Sequence, residues 1–198
     1  MNLHVGRQPA TPGIAPEREP LVPSAVIGTL IFVMCEVMLF AGLISAFTIV
    51  RTSAIGAWPP AGQPRLPVEE TALNSAALLL SGVLLYWAHR VFKREPARAS
   101  RPLLASILLG AFFVIFQGFE WMGLIREGLT LTSSTHGSFF YLIVGTHAVH
   151  AVAALIALGC VWLLLMRERL SRSTFFAAEV FWYFVVGIWP ILYLRVYL

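Results

Sequence analysis

Four ionisable side chains, Glu36, Glu120, His147 and His150, sit inside stretches that otherwise carry almost no charge. Carboxyls and imidazoles in apolar surroundings move protons, ligate metals or tie helices together, and spacing decides among these. Glu36 stands thirteen residues after Pro23 and fifteen before Arg51, so it lies near the middle of its apolar stretch. An acidic residue at the centre of a bilayer costs about 2.5–3.5 kcal/mol on insertion scales. The interior of its own segment offers no basic partner. Two readings stand: a carboxyl linked to proton movement or a subunit contact, and a neutral carboxyl that bonds one helix to another.

His147 and His150 are three residues apart, which on a helix puts them on one face that continues onto Ala151 and Ala154. Two axial haem ligands must approach a porphyrin from opposite sides, and so come from different helices. The other histidines, His4, His89 and His136, fall in the N-terminal region or near segment borders. Bis-histidine haem ligation within this chain therefore fails on geometry. A His–His–Glu metal site with Glu36 or Glu120 is the remaining metal alternative. The preferred expectation is that Glu36, Glu120, His147 and His150 form a buried polar cluster in which each member satisfies another, and ligate no metal. Glu120, six residues before Arg126, either snorkels to the interface or pairs with a histidine. Glu179 is expected at the interface. Nothing in the chain looks like a nucleophile beside a base, a phosphate loop or a carboxylate pair arranged for hydrolysis.

The elements that must position these groups are apolar and long. Five segments, near 23–50, 71–90, 102–125, 137–166 and 173–196, can each cross about 30 Å of hydrocarbon. The charge-free run between Glu127 and Arg167 is too long for one span, and Thr132, Ser133, Ser134 and Thr135 supply a loop and an N-cap, so that helix is expected to start near His136. The longest connection, around WPPAGQPRLPVEE, is too short for a soluble domain. The fold class is therefore all-α, one integral membrane bundle of five helices over 23–198. Residues 1–22 read as a flexible, uncleaved cytoplasmic tail, since no apolar signal region precedes the first span. Ala41, Gly42, Ser45 and Ala46, then Ser75, Ser81 and Gly82, are expected to allow close helix contacts. Pro190 is expected to loosen the last helix near its outer end, and the aromatics of that helix to serve as belt or packing residues.

Composition agrees. Of 198 residues 58% are hydrophobic and 12% charged, about half the share of a soluble domain, and mean hydropathy is +0.78. The acids are all Glu, and the basic residues are Arg except Lys93. The net charge of +4 does not make a nucleic-acid patch, because the Arg residues form short clusters between apolar stretches. Arg7, Arg18, Arg90, Lys93, Arg94, Arg98, Arg101, Arg167, Arg169 and Arg172 fall on one side, against Arg51, Arg65, Arg126 and Arg195 on the other. That asymmetry puts the N-terminus in the cytoplasm and the C-terminus on the periplasmic side. Cys35 and Cys160, without any CxxC spacing, read as small packing residues.

Motifs in four of these segments resemble one family. FVMCEVMLFAGLISAF (32–47) resembles a helix with a central Glu in an E-V-x-x-F-A-G setting, matched by Glu36. WPPAGQPRLPVEETALNSAALLLSGVLLYWAH (58–89) resembles a W-P-P, L-N-T, S-G and W-A-H pattern. LLGAFFVIFQGFEW (108–121) resembles L-G-x-x-F-x-x-x-Q-x-x-E-Y, matched at Glu120, and HGSFFYLIVGTHAVHAVAALIAL (136–158) resembles G-S-T-F-F…G-F-H-G-L-H-V, matched at His147 and His150. Together they resemble subunit III of the haem-copper respiratory oxidases, which take electrons from cytochrome c or quinol, in its short five-helix bacterial form. The last helix departs. Where the family reads W-H-F-V-D-x-x-W, Tyr183 replaces the His and Val186 the Asp. The family's upstream Glu falls on Phe176, with Glu179 one turn away. The polar contacts of that helix therefore do not carry over.

The resemblance implies an accessory, non-catalytic subunit in the bacterial inner (plasma) membrane, serving aerobic respiratory electron transport. It implies no haem or copper in this chain, those groups belonging to the catalytic subunit I and subunit II beside it. It further implies bound phospholipid and a supporting role in proton uptake and oxygen access. A similar subunit of a nitric oxide reductase, or a proton-coupled membrane transporter, are the alternatives. The transporter reading lacks the internal repeat and matched broken helices of that class.

Overall fold

The computed structural model describes residues 24–54, 58, 60, 64 and 66–198. The expected tail 1–22, with His4, Arg7 and Arg18, lies outside the described residues, as does Arg65. Five long helices follow in order: α1 (Ser24–Ser53), α2 (Val68–Arg94), α3 (Ser100–Arg126), α4 (Thr135–Met166) and α5 (Arg172–Leu192). All are long and apolar enough to cross a membrane, and no strand occurs among the described residues.

Local chemistry sets the helix ends. Ser134 caps α4 by accepting from the Gly137 amide at 3.0 Å, and Ser171 caps α5 by accepting from the Thr174 amide at 3.1 Å. α3 ends in a Schellman turn. Gly128, at φ +94°, lets its own amide reach the Ile125 carbonyl and the Leu129 amide reach that of Leu124. α4 ends in the same turn, but the left-handed position is Glu168 at φ +55°. Past Pro190, which lacks an amide hydrogen, α5 widens into a π turn over Tyr193–Tyr197.

α2 and α3 form a tight hairpin, α3 packs against α4, and α5 lies against α2, α4 and α1. Small residues make the closest seam. Ser106 donates to the Ser81 carbonyl at 2.8 Å, and Gly82 lies beside Val186. Gly110 faces the indole of Trp182, so closely that a Cβ there would stand 2.5 Å from the ring. Trp182 and Trp189 are fully buried, and their ring N–H groups donate to Ser81 Oγ at 3.2 Å and Ser75 Oγ at 2.7 Å. These two indoles are the centre of the core, and the serines satisfy the one polar atom each brings with it.

α1 is the least covered helix. Ala41, Gly42, Ser45 and Ala46 face out of the bundle, and nothing lies within 4 Å of the position a Cβ would take at Gly42. The expected small-residue packing therefore holds on α2 and not within this chain on α1, where Phe40 and Phe47 make the inward contacts instead. Cys35 and Cys160 are also exposed rather than packed. An outward residue on a spanning helix meets lipid or another protein, so apolar exposure carries no penalty there.

Candidate functional site

The four polar groups expected in one cluster divide into a pair, an isolated imidazole and a separate network. Glu36 on α1 and His150 on α4 meet, with Glu36 Oε2 2.9 Å from His150 Nε2 and both side chains largely buried. The other nitrogen of His150, Nδ1, lies 2.8 Å from the Thr146 carbonyl one turn earlier on α4. A carbonyl only accepts, so Nδ1 carries a hydrogen. Glu36 Oε2 thus faces the remaining ring nitrogen at ion-pair distance, without the alignment of a hydrogen bond. Phe32, Phe40, Phe181 and Phe184 surround the imidazole with ring centroids 5.6–6.5 Å away.

His147, one turn back on the same helix, joins neither glutamate. Its ring lies tilted by 30° against Trp189 at 4.9 Å, with Phe40 and Phe113 edge-on, and neither nitrogen has a hydrogen-bond partner among the described residues. The i, i+3 spacing places the two histidines about 60° apart around the helix. That angle directs His150 to α1 and His147 into the aromatic centre.

Glu120 on α3 reaches toward α2 and the end of α5. It accepts from Thr71 Oγ1 at 2.9 Å and from Gln117 Nε2 at 2.6 Å, and Gln117 Nε2 also lies 3.1 Å from the Tyr197 hydroxyl. Asn74, one turn after Thr71 and buried, donates to the Phe113 carbonyl at 3.1 Å. The glutamate therefore neither snorkels nor finds a histidine. It joins α3 to α2 through neutral donors, and Gln117 carries the link on to Tyr197.

A second carboxyl–imidazole pair lies outside the expected set. Glu179 Oε2 is 2.5 Å from His89 Nδ1, and the Tyr183 hydroxyl donates to Glu179 Oε1 at 3.0 Å. Glu179 is 4% exposed, held inside the bundle. The sequence did contain the signal. Phe175, Ala178, Trp182, Val185 and Trp189 repeat at helical spacing, and Glu179 belongs to that buried stripe. The His89 contact was invisible because it depends on how α2 and α5 cross. On the neighbouring turn Val186 packs directly against Gly82, and Tyr183 serves as the hydroxyl donor to Glu179.

A groove of about 530 Å³ runs between α1, α4 and α5 and is walled by Gly28, Phe32, Ala157, Cys160, Ala177 and Phe181. Phe32 and Phe181 separate it from the Glu36–His150 pair. Among the described residues no three of His, Cys and Glu converge as a metal site. The arrangement is suited to holding protons and joining helices, and it contains no group poised for covalent chemistry.

A family model described as cytochrome c oxidase subunit III matches residues 20–198. The chain is 32% identical over 180 residues to a probable cytochrome c oxidase subunit 3 of Nocardia farcinica, with 86% of each chain covered. It is 33% identical over 180 residues to cytochrome c oxidase subunit 3 of Pongo pygmaeus and 32% identical over 184 residues to that of Mus musculus. In both comparisons 86% of this chain and 67% of the relative are covered.

Proposed function

Because the chain belongs to the cytochrome c oxidase subunit III family, we propose that it is the accessory, non-catalytic subunit of a bacterial haem-copper terminal oxidase. It lies in the bacterial inner membrane, N-terminus cytoplasmic and C-terminus periplasmic, beside subunit I and subunit II, which carry the haem and copper. The single observation that carries the reading is the match of family and fold, five spans whose family-matched polar residues sit inside the bundle. Within the bundle the carboxyls of Glu36, Glu120 and Glu179 and the imidazoles of His89 and His150 are engaged by contacts within the chain.

The supporting role follows from two features. The groove between α1, α4 and α5 is apolar and open along its length, a shape for an acyl chain of a bound phospholipid. The Glu36–His150 pair shares its aromatic wall, so lipid in the groove shields a proton-holding pair from water. In this way the subunit supports proton uptake and oxygen access in its partner without performing the chemistry. Purification from native membranes tests the reading. The chain is expected to travel with a haem-containing partner, and phospholipid is expected in the delipidation extract at fixed stoichiometry. A chain that purifies alone and moves a solute in liposomes would instead establish the transporter alternative.

A further inference from the structure

His147 and Gln117 leave polar atoms that the contacts above do not satisfy. A neutral imidazole brings one N–H and one lone pair, and each needs a partner when buried. His147 is 1% exposed, and its neighbours Trp189, Phe40 and Phe113 offer only aromatic surface. Gln117, 4% exposed, directs its amide nitrogen to Glu120 and Tyr197, and its Oε1 has no partner among the described residues. Both side chains line one cavity of about 170 Å³ between α3, α4 and α5.

We propose that this cavity is a binding site for a small cluster of water molecules that bridges Gln117 on α3 to His147 on α4. The volume suits it, since one water occupies about 30 Å³ and needs two or more polar partners. The chemistry suits it as well. Water donates to Gln117 Oε1, and it both donates to and accepts from the imidazole. No other small guest fits as well. An ion would find no charged side chain among the lining residues, and the remaining walls, such as Phe113, Val114, Val144 and Trp189, are apolar. A methylene chain would fill the space and leave the buried polar atoms of Gln117, Trp121 and His147 unpaired, the costlier arrangement. Through the Gln117 amide the cluster continues into Glu120, Thr71 and Tyr197. Hydrogen bonding thus runs unbroken from the α3 carboxyl to the core of the bundle, and His147 acts as its inner end.

The test uses the purified membrane complex that contains the chain, imaged by electron cryomicroscopy at a resolution that shows ordered water. Discrete density is expected at hydrogen-bond distance from a His147 ring nitrogen and from Gln117 Oε1. Tubular acyl density, or an empty cavity, would overturn the proposal. Xenon under pressure gives a second readout that needs no variant. A hydrated cavity leaves it unbound, whereas a dry apolar one takes it up, and uptake here would refute the water site. In His147→Leu the bridging density is expected to vanish, and in His147→Gln to persist. Unchanged water in the Leu variant would show that the imidazole is not its partner. The haem spectrum of the same preparation reports the subunit assignment separately, because the cavity is built from this chain alone.

Discussion

The Glu36–His150 pair makes a prediction that separates a hydrogen-bonding role from a proton-carrying one. With Nδ1 committed to the Thr146 carbonyl, a neutral His150 presents Nε2 as a bare acceptor 2.9 Å from Glu36. In Glu36→Gln the amide still donates to that nitrogen. In Glu36→Ala nothing does, and a buried acceptor is left unmet. Interhelical hydrogen bonds in membranes couple by about 0.6 kcal/mol on average and about 1.7 at most. This pair is enclosed by four phenylalanines and only 13–16% exposed, so the coupling between Glu36 and His150 is expected near the top, about 1.5 kcal/mol. A domain of this size shifts by about 2–4 °C per kcal/mol. Thermal unfolding of the purified complex, for Glu36→Ala, His150→Ala and the double variant, yields the coupling by difference. Glu36→Gln is expected to lose under about 0.5 kcal/mol, well within the ordinary cost of a retained neutral bond. If Gln unfolds as early as Ala, or the double variant is simply additive, Glu36 and His150 do not act as a stabilising pair. Where Gln is stable yet proton uptake by the complex falls, the carboxyl serves proton movement and not merely helix association.

Three further outcomes follow from packing and backbone geometry. Gly110→Ala places a methyl group 2.5 Å from the Trp182 ring and 2.9 Å from Leu155, an overpacking expected to cost about 1–3 kcal/mol; Trp182→Phe should recover part of it, and thermal melts of the single and double variants check both. Glu168→Gly relieves a side chain held at φ +55° on an exposed turn and is expected to stabilise by about 1 kcal/mol, read as a higher melting midpoint. Tyr183→Phe removes a hydroxyl from a buried carboxyl and should cost about 1–2 kcal/mol, whereas in a Glu179→Leu background the same change should be close to neutral.

Sequence reasoning reached the helices more readily than the site. Each expected span lies within or near an observed helix, and the cap expected in the Thr132–Thr135 loop is made by Ser134 with α4 starting at Thr135. Hydropathy and capping are local, so these features need no neighbour. The four polar residues were identifiable for the same reason, as charges where hydrocarbon does not tolerate them. Their partners were not. Glu36 meets His150, but Glu120 meets Gln117 one turn away on its own helix and Thr71, an ordinary residue whose importance comes only from the α2–α3 crossing. Glu179, expected at the interface from its distance to the helix start, belongs to an apolar stripe that points into the bundle, where His89 meets it.

The sequence by itself therefore determined the number and length of the spans, the residues that are costly in a membrane and the family motifs that carry them. A residue's cost in hydrocarbon depends on its own chemistry and depth, and both are written along the chain. Only the tertiary structure decided which of these residues meet. Two histidines one turn apart have different fates, His150 bonded to Glu36 and His147 facing a cavity, because a helix rotates its side chains by about 100° per residue toward different neighbours. Helix rotation and crossing are settled by contacts far apart in sequence, above all the fit of Trp182 and Trp189 against Gly110, Ser81 and Ser75.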